Sequence, residues 1–136
     1  MGSQLTPEEL EILILIKTIE DFEEENPGNL PPGGIGEVIV SSDIKTPEEF
    51  DKITDVLYEN GLTDEDNATT SKGKEYIEKL AKEMESGKVN LSTAILTTLK
   101  KFLEEDIEKY PVIKNAGTIC TLLGGIASLL TVLGIR

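Results

Sequence analysis

Residues 116–135, AGTICTLLGGIASLLTVLGI, run for 20 residues without one charged side chain. As a helix rising about 1.5 Å per residue, such a run reaches roughly 30 Å, the thickness of a bilayer's hydrocarbon core. All 26 acidic side chains of the 136-residue chain lie before it, in residues 1–110. An acidic body followed by an uncharged tail is the layout of a protein that ends in, or inserts into, a membrane.

The charge balance weighs against one class of partner. Residues 1–110 set 26 acids against 11 lysines, a balance of −15, while residues 111–136 hold only Lys114 and Arg136. A surface this acidic repels phosphate backbones, because nucleic-acid affinity rests on Lys and Arg neutralising phosphates. Residues 1–9, MGSQLTPEE, lack the basic start and apolar stretch of a signal peptide, so the body is expected in the cytoplasm. The sequons at Asn67 and Asn90 then read as chance matches, and Met1-Gly2 with Thr6 fits only a loose myristoylation pattern. Lys109 and Lys114 before the tail, against Arg136 after it, favour the same orientation. The single Cys120 excludes an internal disulfide.

Start and stop signals divide the body into helices. Thr6-Pro7-Glu8-Glu9 supplies an N-cap, a proline at the first helical position and a glutamate three residues after the cap. The helix it opens runs to about Glu25. Its apolar residues, Leu10, Ile12 to Ile16 and Ile19, cover most of the circumference, which puts it at the centre of the fold. Asn26-Pro27-Gly28 stops it and Pro31-Pro32-Gly33-Gly34 prolongs the loop. Residues 37–44 are ambiguous between a short strand and a short helix. Thr46-Pro47-Glu48-Glu49 repeats the first signal, and Asn60-Gly61 ends that helix. A turn-rich segment from Asp64 to Thr70 leads to a helix from Ser71 to Glu85, with Tyr76, Ile77, Leu80, Ala81 and Met84 on one face. After Ser86-Gly87-Lys88, an amphipathic helix is expected, apolar at Leu91, Ile95, Leu99, Phe102, Leu103 and Ile107, with Pro111 closing it.

From Phe50 to Met84 the order is helix, Glu59-Asn60-Gly61-Leu62, a polar turn, Thr70-Ser71-Lys72-Gly73-Lys74, helix. This resembles the second half of a winged-helix domain, most closely over residues 46–85 and loosely over 5–86. The resemblance implies a recognition helix at 46–60 and a two-stranded wing after it. It would imply DNA binding too, but the helix holds Glu48, Glu49, Asp51, Asp55 and Glu59 against Lys52, and the wing is Asp64-Glu65-Asp66-Asn67. Groove-reading helices present Arg, Lys, Asn or Gln. A protein partner is the better expectation.

Catalytic signatures are missing from the sequence. No histidine is present, which removes Ser-His and Cys-His nucleophile systems. Asp64, Asp66, Thr70 and Glu75 fall on Ca²⁺-loop positions 1, 3, 7 and 12, but Ala68 and Thr69 occupy positions 5 and 6, where a ligand and a glycine belong. Glu23-Glu24-Glu25 and Glu104-Glu105-Asp106 read as solvated helix faces, and Gly33-Gly34-Ile35-Gly36 lacks the Lys-Ser/Thr of a phosphate loop. No catalytic residue, cofactor or metal ligand is assigned.

Within the tail, residue size follows the helix. Gly117, Thr121, Gly124, Ser128 and Thr131 share one side, widened by Cys120, Gly125, Ala127 and Gly134. Ile119, Leu122, Ile126, Leu129 and Leu133 keep the same rhythm opposite. Small residues let helices approach closely in lipid, so the first set is expected to pack helix on helix and the second to face acyl chains. In a sufficiently large oligomer Thr121, Ser128 and Thr131 would line a pore.

The expectation is therefore a mainly α chain in three parts. A winged-helix-like acidic domain spans 1–86, an amphipathic connector 87–111, and a hydrophobic membrane-inserting or oligomerising helix 112–136. Its function reads as a non-enzymatic membrane-associated effector, with a protein partner on the body and a homo-oligomer of tails that permeabilises the membrane. The alternatives are a winged-helix DNA-binding regulator with a dimerising or anchoring tail, and a subunit of a soluble assembly that buries the tail.

Overall fold

The computed structural model describes residues 5–25, 27–28, 37, 39, 45–87, 97, 100–102, 104–105 and 117–133. Among the described residues four helices have defined bounds: α1 (Pro7–Glu25), α2 (Pro47–Glu59), α3 (Ser71–Ser86) and α4 (Gly117–Leu133). The chain is mainly α. Among the described residues there is no strand, only an antiparallel bridge between Thr63 and Thr69.

Helix α1 starts where its cap dictates. The Thr6 N–H donates to Glu9 Oε1 at 2.9 Å and the Glu9 N–H to Thr6 Oγ1 at 3.2 Å, a reciprocal box that satisfies two donors no helical turn can reach. From Leu10 to Ile16 every residue is buried, and Ile19 is fully so. Thr18 is buried among them because its hydroxyl donates to the Ile14 carbonyl at 2.7 Å. The helix with apolar residues on nearly all sides is the central rod, touched by each of the other three.

Helix α2 repeats the box with Thr46 and Glu49 and lays Phe50, Thr54 and Leu57 into the core. Hydrogen bonding to its own cap, chiefly from the Thr46 N–H, holds the Glu49 carboxyl below the usual carboxylate range. Gly61, at φ +75°, turns the chain out of α2, and Leu62 returns to the core with its N–H on the Leu57 carbonyl at 2.9 Å. The loop from Asp64 to Ala68 is closed by Asp64 N–H to Ala68 O at 2.8 Å. Asp64 Oδ1 accepts the N–H groups of Asp66 and Ala68. Thr70 caps α3 by accepting the Gly73 N–H at 3.1 Å, and Gly87, at φ +74°, ends that helix.

Glu37 and Ile39 are helical and Ile39 is buried; the remainder of the ambiguous 37–44 stretch lies outside the described residues. So do most of the expected connector and its Leu91, Ile95, Leu99, Leu103 and Ile107. Within it Phe102 is buried, Lys100 and Glu104 pair at 3.0 Å, and the described helical residues begin at Thr97.

The C-terminal helix belongs to the same core as the body. α4 packs chiefly on α3 and next on α1, and Leu122, Ile126 and Leu129 join the core cluster of α1, α2 and α3. The expected lipid-facing assignment of these three residues is corrected here. Their aliphatic surface is removed from water by the body of the same chain. The side chains of Ile119 and Leu133, assigned with them, lie outside those described.

Candidate functional site

Spacings of four and three residues put Leu122, Ile126 and Leu129 on one side of α4. They are 1 %, 4 % and 1 % exposed. Gly125 lies on that buried side as well. A β-carbon there would stand 3.2 Å from Met84 Cβ, 3.3 Å from the Ala81 carbonyl oxygen and 3.4 Å from Met84 Cε. Its missing side chain lets α4 come down onto α3, so the expected place of Gly125 on the outward small face is corrected. The close helix approach it permits is made within the chain.

The outward side of α4 carries most of the other small residues. Cys120, Thr121, Gly124, Ala127, Ser128 and Thr131 are exposed, and a β-carbon on Gly124 would meet nothing within 4 Å. Cys120 is in no disulfide. Thr131 Oγ1 donates to the Ala127 carbonyl at 3.0 Å, so this hydroxyl is engaged along its own helix. Gly117 opens α4, and Gly134 lies outside the described residues. Among the described residues no helix is long and apolar enough to cross a membrane. The 17 residues of α4 give roughly 26 Å of rise.

Beside the docked helix runs a cleft of about 300 Å³ lined by Lys17, Asp21 and Glu25 of α1, Ile77, Glu78 and Ala81 of α3, and Thr121 and Leu122 of α4. Lys17 Nζ reaches both oxygens of Asp21, at 2.7 and 2.8 Å, one turn along the same helix. The floor is apolar, and on the rim Asp21, Glu25 and Glu78 outweigh the one cation, Lys17.

A second surface lies on the body. Tyr58 is 53 % exposed and shares a depression of about 280 Å³ with Thr54, Asp55, Asp64, Glu65 and Asn67. Sequence reasoning placed the acids of α2 and the following loop but not this tyrosine among them. Glu20 escaped it too: its carboxylate accepts the Thr69 N–H at 3.1 Å and the Thr69 hydroxyl, tying α1 to the loop that borders Tyr58. No sequence signal links residues 49 positions apart. No group of three metal-ligating side chains occurs among the described residues.

Chemically, these surfaces offer packing and charge rather than a nucleophile beside a base. Compared with protein-family models, curated proteins and solved structures, the chain finds no match in any of the three.

Proposed function

We propose that this protein is a non-enzymatic, membrane-associated interaction protein, with α4 as its anchoring and self-associating element and the acidic body as the seat of a protein partner. One observation carries the reading. The solvent side of α4 is exposed at Cys120, Thr121, Gly124, Ala127, Ser128 and Thr131, with no charge anywhere on the helix. Such a side carries three hydroxyls but no charge, and it is slim enough for a lipid chain or a second helix to approach closely.

The body supports its half of the reading. Helix α2, the Thr63–Thr69 bridge and α3 follow one another in the order of a winged-helix domain, and we read the body as a variant of that fold. Its α2 exposes Glu48, Glu49, Asp51, Asp55 and Glu59, and Tyr58 stands among acids. A basic protein surface suits that face and a phosphate backbone does not.

Energetics explain why the helix is stowed. Burying a Leu or Ile is worth about 1.5–3 kcal/mol, so the three docked residues contribute roughly 4–9 kcal/mol as an upper figure. The nine large aliphatics between residues 116 and 135 favour bilayer insertion by only roughly 3–5 kcal/mol, before glycine and hydroxyl residues subtract from it. On these figures docking on the body matches or exceeds what lipid offers.

A second reading, favoured by the close seat of Gly125 on Met84 and Ala81, keeps α4 as a permanent wall of a water-soluble domain. Fractionation of the full chain separates the two. The proposal expects it in the membrane fraction and expects Gly124→Glu, which places a charge where nothing lies within 4 Å, to move it to the supernatant. Wild-type protein that stays wholly in the supernatant with membranes present, and does not bind added vesicles, would falsify the proposal and leave the second reading.

A further inference from the structure

We infer that the body is the inhibitor of its own tail: α1 and α3 occupy the large-residue side of α4, so the helix enters a bilayer only after it has left the body. The inference rests on the membrane reading above and adds its regulation.

Leu122, Ile126 and Leu129 are the side chains a bilayer would take, and the core holds all three. One helix side cannot lie in two apolar surroundings at once. Departure of α4 would also uncover Ala81 and Met84, which seat Gly125, and open the cleft that Ile77 lines with Leu122. Water would then meet two apolar surfaces, which makes the closed state the resting one unless lipid or a partner covers both.

The seam is built to open as a unit. Helix α4 carries no charged residue, so no ion pair crosses it. The described ion pairs, Lys17–Asp21, Lys79–Glu83 and Lys100–Glu104, each lie within one stretch of helix. What holds α4 is apolar packing in which Gly125 lies against Ala81 and Met84 of α3. A partner that displaces α3 by a small amount removes that fit without having to break a salt bridge. Closed and open are two packings of one helix, which is the kind of element a ligand can bias.

The geometry supplies the test. A β-carbon on Gly125 would lie 3.2 Å from Met84 Cβ, a few tenths of an ångström inside the usual disulfide spacing of about 3.5–4.5 Å. The full chain with Met84→Cys, Gly125→Cys and Cys120→Ser should therefore cross-link on oxidation, locking the seam. Flotation with vesicles of mixed zwitterionic and anionic phospholipid is compared for this chain oxidised, the same chain reduced, and the wild type. The expected result is at least a tenfold lower bound fraction for the oxidised form than for the reduced one. Equal flotation of the two, or failure of the pair to cross-link, overturns the inference while leaving membrane association in place. Flotation of none of the three removes the membrane reading, and the inference with it. Hydrogen exchange on the wild type gives a second measure that needs no variant. Vesicle binding should strip protection from α3 amides around residues 77–84, and unchanged protection in the bound protein overturns the inference.

Discussion

The Glu20 carboxylate, in the last third of α1, accepts both the backbone N–H and the hydroxyl of Thr69, with the N–H at 3.1 Å. Thr69 is 8 % exposed, so its groups have little recourse to water if that partner goes. Hydrogen bonds to a charged acceptor are worth about 1.5–3 kcal/mol each, but their loss is softened by water at a half-buried site. Glu20→Ala should lower unfolding free energy by about 2 kcal/mol in urea titration. Glu20→Gln, which keeps one acceptor oxygen, should cost about half as much. A Glu20→Ala loss below about 0.5 kcal/mol would show that the bridge of α1 to the loop contributes nothing.

Gly73 sits where α3 crosses the exit from α2. A β-carbon there would overlap the Leu62 carbonyl oxygen and come within 3.1 Å of the Leu62 carbonyl carbon. That oxygen is fixed by the Thr70 N–H at 3.1 Å, and the Thr70 hydroxyl is held between the Gly61 carbonyl and the Gly73 N–H. The clash is with backbone, which cannot swing aside as a long side chain would. Gly73→Ala should cost about 3 kcal/mol or more, read as a fall in the urea midpoint.

The caps and turn glycines of the body are legible in the sequence alone. Thr6 with Glu9, Thr46 with Glu49, Thr70 as the cap on Gly73, and Gly61 act through neighbours at most four residues away or through their own backbone angles, and local chemistry of that kind is written in local sequence. The seat of α4 is not. Leu122, Ile126 and Leu129 are aliphatic whether lipid or protein covers them, so periodicity finds the face and says nothing of its cover. The same limit applies to Gly124 and Gly125: adjacent and identical, they differ only because one residue turns a helix by about 100°.

Thr63 is 2 % exposed and its Oγ1 has no hydrogen-bond partner among the described residues. Its backbone is committed to the bridge with Thr69, which fixes where the side chain must go. Valine has nearly the same shape without the hydroxyl, and leaving a buried hydroxyl unsatisfied costs about 1–3 kcal/mol. Thr63→Val should raise stability by about 1 kcal/mol. A decrease would mean that the hydroxyl has a partner in solution.

Tyr76 responds to alkali in a defined direction. Burial, and then the nearby Glu83 carboxylate, push its phenol above the ordinary value. Between the unfolded and folded pKa values the unfolded chain has lost a proton that the folded one keeps. Stability should therefore be intact below about pH 9 and fall as pH rises through and above about 10. Tyr76→Phe removes the group, and the midpoint of urea unfolding measured from about pH 8 to 11 should decline less steeply than in the wild type. Parallel curves for the two proteins would remove Tyr76 as the cause.

The neighbouring glycines of α4 give the most direct test of which way the helix faces. Gly124 looks into open space, so Gly124→Ala adds a methyl group at no steric cost and gains the difference in helix propensity, about 1 kcal/mol. Gly125 rests on Met84 and on the Ala81 carbonyl oxygen, a backbone atom that α3 holds in place. A branched side chain there has to lift α4 from its seat, and Gly125→Val should cost about 1–3 kcal/mol. In lipid, with both glycines packed against other tails, the two substitutions would instead weaken self-association together. Thermal unfolding in aqueous buffer should thus move in opposite directions for the two variants. Equal shifts would place α4 somewhere other than on α3, because only a helix seated on Gly125 can tell the two positions apart.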